Sequence, residues 1–155
     1  MPILSISVAR WLAPLRSGGR HEHRTQARSR LGDMAERPAR RHVLIVEDEP
    51  ALRDHYKRFF SSRYDLTFAS SGAEALERLA EATPDVAVLD MRLPDTDGVA
   101  LLREIHETQP ELPVIIATAF LSIEPQLQLL DVPYTDYIVK PFRLDELGAR
   151  IDAAI

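Results

Sequence analysis

From His42 to the end of the chain, hydrophobic residues follow two alternating periods. Short, largely apolar runs stand at Val43–Val46, Leu66–Ala69, Val86–Leu89, Val114–Ala117 and Tyr137–Val139. Each is bounded by acids or turn-forming residues, the pattern of strands buried on both faces. Between the runs, apolar residues recur every three or four positions, as on one face of a helix. Leu52, Tyr56, Phe59 and Phe60 form the first such face, and Pro50 suits its opening turn because a missing N–H costs nothing there. Ser71-Gly72-Ala73-Glu74 reads as a capping box, with Ala73, Leu76 and Ala80 continuing that helix on one face. Val99, Leu102 and Ile105 predict a third helix that stops near Pro110. A short fourth is expected from Ser122 as cap, with Ile123, Leu127 and Leu130 facing inward and Pro125 tolerated in its first turn. Leu144, Leu147 and Ile151 mark a closing fifth helix, weakened in the middle by Gly148.

Five strand–helix alternations with short connections predict an α/β domain. Its parallel five-stranded sheet would be doubly wound, with helices on both faces joined by right-handed crossovers. The polar residues at the strand ends then converge. Glu47 and Asp48 follow the first strand, Asp90 ends the third, Thr118 the fourth and Lys140 the fifth. All lie at the carboxyl edge, where open sheets of this kind bind ligands.

Composition narrows the chemistry. The chain has 155 residues and no cysteine, which excludes disulfides, thiolate metal sites and a cysteine nucleophile. No apolar run approaches the ~18 residues of a membrane-spanning helix, so no membrane partner is expected. The opening residues resemble a signal peptide only superficially, since no basic residue precedes Ile3–Val8 and Arg10 and Pro14 interrupt the stretch. The net charge of −5 hides two opposite parts. Residues 1–42 carry nine Arg against three acids, and residues 43–155 carry ten Lys/Arg against twenty-one acids. Residues 1–41 are expected to be a solvated, unordered basic arm, with Met34 as an alternative start, and residues 42–155 the folded domain. Nucleic acid is not expected as a partner; a salt-sensitive gel shift lost on deleting residues 1–33 would be its sign.

Three carboxylates side by side repel one another. At ~5 Å and an effective dielectric of ~20, each ionised pair costs about 3 kcal/mol. A hard divalent cation relieves such a cluster, and Mg²⁺ suits both the oxygen ligands and phosphoryl chemistry. A lysine and a threonine hydroxyl beside it supply a point charge and a donor for phosphoryl oxygens. Carboxylate, metal, lysine and hydroxyl together make a site for an aspartyl-phosphate.

Val43-Leu44-Ile45-Val46-Glu47-Asp48-Glu49-Pro50, the Leu89–Gly98 segment, Ala117-Thr118-Ala119 and Tyr137-Ile138-Val139-Lys140-Pro141-Phe142 resemble the receiver domain of two-component response regulators. The resemblance covers residues 42–155, with the four pieces in order. As in the chemotaxis receiver, it implies a flavodoxin-like strand order 2-1-3-4-5 with five helices. It implies Asp90 as phosphoacceptor for a histidine kinase or histidine phosphotransfer protein. Mg²⁺ would be held by Glu47, Asp48, Asp90 and the backbone carbonyl of Arg92. Lys140 would pair with the phosphoryl oxygens, ahead of a cis Lys140–Pro141 bond. Thr118 and Tyr137 would be the switch, remodelling the surface of the fourth helix, fifth strand and fifth helix for a downstream protein target. Such a domain catalyses its own phosphotransfer and dephosphorylation without being a conventional enzyme, and its place would be the cytoplasm.

The sequence departs from the family pattern in places. Glu47 stands for the first of two aspartates, and Asp131–Asp136 lacks the usual Gly-Ala. Arg92, two residues after Asp90, and Phe120, two after Thr118, are expected to shape access to the phosphoryl group and its lifetime. Because the chain stops as its closing helix completes, output is expected through protein contacts. The alternative function is a phosphorylation-independent receiver-like scaffold. Asp95-Thr96-Asp97-Gly98 with Glu104 hints at a calcium loop, but Leu93 occupies the first ligand position.

Overall fold

The computed structural model describes residues 39–119, 131 and 133–155. The described residues form five strands and four helices. The strands are β1 (Arg41–Val46), β2 (Tyr64–Ala69), β3 (Val86–Asp90), β4 (Val114–Thr118) and β5 (Asp136–Val139). The helices are α1 (Pro50–Phe60), α2 (Gly72–Glu81), α3 (Gly98–Thr108) and α4 (Leu144–Ala154). All strand pairs are parallel and the order is β2-β1-β3-β4-β5, as the resemblance implied. The expectation of five helices is corrected to four among the described residues. The expected fourth rested on three apolar positions after Ser122, and that segment lies outside the described residues.

The period-two alternation of a strand splits the core into two layers. Val43, Ile45, Val88, Ile115, Ala117 and Ile138 face α1 and α4, where they meet Tyr56, Phe60, Leu147 and Ile151. Leu44, Val46, Leu89 and Ile116 face the other way, onto Ala75 and Leu79 of α2 and Leu101, Leu102 and Ile105 of α3. Each fully buried Leu, Ile or Phe contributes about 1.5–3 kcal/mol, so two filled layers fix the sheet's register.

Two helical faces differ from the sequence reading. Phe59 is 41% exposed, because the sheet takes up only Tyr56 and Phe60 with Leu52 at the margin. On α2 the buried positions are Ala75 and Leu79, not Ala73 and Ala80, while Leu76 packs at the edge. Local periodicity cannot separate neighbouring small residues; the orientation of α2 against β2 and α3 decides. The capping box is also altered. Ser71 Oγ accepts from Glu74 N at 3.1 Å, but the Glu74 carboxylate accepts from Ser70 N and Ser70 Oγ rather than from Ser71 N. Among the described residues no helix is long and apolar enough to cross a membrane.

Candidate functional site

The reversal in strand order puts β1 beside β3, and the crevice between their carboxyl ends is where such sheets bind ligands. Val46 pairs with Leu89, so Glu47 and Asp90 leave adjacent strands at the same level. Asp90 pairs with Ala117, which puts Thr118 one step further along β4, and Thr118 in turn pairs with Val139 ahead of Lys140. Three separate pairings therefore bring together Glu47 and Lys140, 93 positions apart in the chain.

The predicted residues meet. Carboxylate oxygens of Glu47, Asp48 and Asp90 all lie within 4.8 Å of one another. Glu47 and Asp90 are only 3% and 8% exposed, whereas Asp48 is open to solvent. Lys140 Nζ reaches between the two buried acids, donating to Glu47 Oε2 at 2.9 Å and to Asp90 Oδ2 at 3.2 Å. Thr118 is buried, and its carbonyl accepts from Lys140 N at 2.7 Å. The Lys140–Pro141 peptide is cis. Tyr137 is half-buried on the α2–α3 side and stacks edge-on with Tyr134, ring centroids 6.4 Å apart. Phe120 lies outside the described residues.

Burial raises the Glu47 carboxyl above its ordinary value; the hydrogen bond and charge of Lys140 oppose this, and the charge of Asp90 adds to it. Burial works to lower the Lys140 ammonium, but the hydrogen bond to Glu47 and the charges of Asp90 and Glu47 outweigh it and hold Lys140 above its ordinary value. Lys140 therefore stays cationic. With all four groups ionised, three carboxylates and one ammonium leave a net charge of −2, the charge a divalent cation cancels. The donor set fits Mg²⁺. It is all oxygen, and its spread of up to 4.8 Å is close to the ~4.2 Å across an octahedral Mg²⁺ shell.

The loop after Asp90 is held at several points. Arg92 N donates to Asp90 Oδ1 at 3.1 Å, and Arg92 bridges to Asp97. Gly98 N donates to the Met91 carbonyl at 3.0 Å. Here a glycine is required, because a Cβ at Gly98 would sit 2.6 Å from Met91 Cα. Asp95 reaches across to α2 and accepts from Gly72 N at 2.8 Å and Ala73 N at 2.9 Å. Those two N–H groups hold its carboxyl below the ordinary range, Ala73 contributing most. Asp97 caps α3 by accepting from Ala100 N. The two acids of the apparent calcium motif are thus spent on helix caps.

Sequence reasoning missed two neighbours of the site. Arg53 of α1 donates to the carbonyls of Glu47 and Asp48. Tyr56, read only as core, borders a cleft of about 290 Å³ beside Lys140, and burial pushes its hydroxyl up to about 12. A cation one turn into a helix that follows paired acids was the available signal for Arg53. For Tyr56 there was none.

Comparison with known proteins agrees with this geometry. The family model described as response regulator receiver domain matches residues 43–152. The receiver domain of the Francisella response regulator 1452 is 33% identical, covering 74% of this chain and 95% of that one, with a TM-score of 0.68. The Thermotoga maritima response regulator TrrA, solved in complex with Mg²⁺-BeF, is 27% identical over 74% of this chain and 99% of that one, with a TM-score of 0.67. Response regulator MprA of Mycobacterium leprae is 39% identical over 114 residues, 73% of this chain and 50% of that protein. The chain spans about half the length of the curated relatives it matches.

Proposed function

Because the chain belongs to the response regulator receiver domain family, we propose that Asp90 is its phosphoacceptor and that phosphorylation controls its protein contacts. The acid cluster of Glu47, Asp48 and Asp90 is that of a Mg²⁺-dependent phosphoacceptor signalling domain. The observation that carries the assignment of roles is Lys140, inserted between Glu47 and Asp90 with Asp48 at the solvent side.

An Asp90 carboxylate oxygen attacks the phosphorus of a phosphohistidine on a histidine kinase or histidine phosphotransfer protein. The new O–P bond forms as the P–N bond breaks, and the imidazole nitrogen leaves with its electron pair. Glu47, Asp48, Asp90 and the Arg92 carbonyl would hold Mg²⁺, which when bound offsets charge on the phosphoryl oxygens. Lys140 keeps its bond to Glu47 and exchanges its contact with Asp90 for a phosphoryl oxygen. Thr118 turns its hydroxyl toward the same group, and Tyr137 follows into the space released. The remodelled surface includes β5 and α4, and a downstream target reads it there. In this reading the chain acts in the cytoplasm, as the family resemblance implied. Of the basic arm expected over residues 1–41, residues 1–38 lie outside the described residues and Arg41 already belongs to β1; the arm has no part in this reading.

The test uses acetyl phosphate as donor with MgCl₂. The intact chain should gain the mass of one phosphate, and Asp90→Asn should gain none. No gain at saturating donor would leave the phosphorylation-independent scaffold as the function.

A further inference from the structure

Arg53 lies outside the acid cluster, yet its Nη1 donates to the carbonyl of Glu47 at 2.7 Å and to that of Asp48 at 2.8 Å. These two residues form the turn between β1 and α1 and bring two of the three clustered carboxylates. Glu47 N is tied to the Ala69 carbonyl on β2, and Glu49 N donates to Glu47 Oε1 at 3.2 Å. Asp48 is tied through its carbonyl by the one bond from Arg53. Both bonds come from one guanidinium nitrogen, whose two N–H groups can hold two adjacent carbonyls at once.

We propose that Arg53 is a positioning residue for the metal site. It ties the Glu47–Asp48 turn to α1 so that both carboxylates face Asp90 at the spacing Mg²⁺ requires. The inference rests on the phosphoacceptor reading above and concerns a residue that touches neither metal nor phosphoryl group.

Charge and geometry make opposite predictions, which makes the idea decidable. Arg53 places a positive charge beside a cation site, so by Coulomb's law alone its removal would tighten Mg²⁺ binding. If its geometry matters more, removal weakens binding, since losing a group that orients metal ligands costs about 10–100-fold in affinity.

The full chain and Arg53→Met are titrated with MgCl₂ while two-dimensional NMR follows the Arg92 amide. Arg53→Met should bind about tenfold more weakly. Arg53→Lys, which keeps a cationic donor, should recover part of the loss. Hydrogen exchange at the Glu49 amide should quicken in Arg53→Met. Melting in EDTA shows whether that variant is folded; if it is not, Arg53→Lys decides, with binding weaker than the parent chain as the expected result. Equal or tighter Mg²⁺ binding in the folded variant overturns the inference, while phosphoryl uptake by the parent chain leaves the phosphoacceptor reading standing. A parent chain that takes up neither Mg²⁺ nor phosphate overturns both.

Discussion

Replacing Lys140 by Met keeps most of the side-chain stem and removes the cation between two buried carboxylates. Lys140 Nζ is 2.9 Å from Glu47 and 3.2 Å from Asp90, which are 3% and 8% exposed. Stranding a buried charge without its partner costs about 3–5 kcal/mol. That is a large share of the ~5–15 kcal/mol that keeps an ordinary domain folded. The variant has one escape, which is to protonate Glu47. Lys140 supplies the two largest influences that lower the Glu47 carboxyl, ahead of the Glu49 N–H; without it, burial and the Asp90 charge push upward against that one bond. A carboxyl raised in the folded state binds more protons there than in the unfolded chain. Its contribution is full below the unfolded value of 4.5 and is lost as pH climbs through the folded value. Lys140 itself is raised from 10.5 and does not titrate in this window. Urea melts in EDTA should therefore show Lys140→Met losing about 3–5 kcal/mol near pH 8 and distinctly less near pH 5. Added MgCl₂ should restore part of the loss near pH 8, because a ligand bound only by the folded state stabilises it. An equal loss at both pH values, or a loss under about 1 kcal/mol near pH 8, would refute the coupling of these three groups.

Other expectations are more local. Gly98→Ala puts a Cβ 2.6 Å from Met91 Cα and 3.2 Å from the Asp90 carbonyl. It should cost about 1–3 kcal/mol and slow phosphoryl uptake, and an unchanged melting temperature and rate would contradict the close approach. Tyr64→Phe removes a hydroxyl bonded to Asp152 and should cost about 1 kcal/mol at neutral pH. Burial pushes Tyr64 from 10 to about 12, so its contribution is present below 10 and lost through about 12. Titrated melts of the variant should be flatter across that range, and an identical alkaline slope would argue against it. Arg92→Ala and Phe120→Ala should each change the dephosphorylation rate of the phosphorylated chain, measured by loss of the added mass. If both decay like the parent chain, these side chains do not shape access to the phosphoryl group.

The element types and the convergence of the site were legible in the sequence because both follow from short-range patterns. A strand buried on two faces must be apolar throughout, so the acids and lysine that end Val43–Val46, Val86–Leu89 and Tyr137–Val139 had to mark the sheet's edge. The strand ends moved outward by one or two residues at Arg41, Tyr64, Thr118 and Asp136. Arg41, Thr118 and Asp136 are polar, and Tyr64, though buried, is separated from the apolar run by Asp65; only pairing with a neighbouring strand reveals these ends. The five-helix expectation is corrected to four among the described residues, which do not include the segment after Ser122. Asp95 and Asp97, whose spacing hinted at a calcium loop that Leu93 argued against, cap α2 and α3.

By itself, the order of residues determined which segments are strands, which acids stand at their carboxyl ends, and that Lys140 joins them. Tertiary structure alone decided how those groups meet. It set Lys140 between Glu47 and Asp90, turned Phe59 outward, rotated α2 onto Ala75 and Leu79, and brought Arg53 onto the carbonyls of Glu47 and Asp48. The reason is range. Hydrophobic period acts over a few residues along the chain, whereas a 2.9 Å contact between Glu47 and Lys140 exists only after three strand pairings have closed the distance between them.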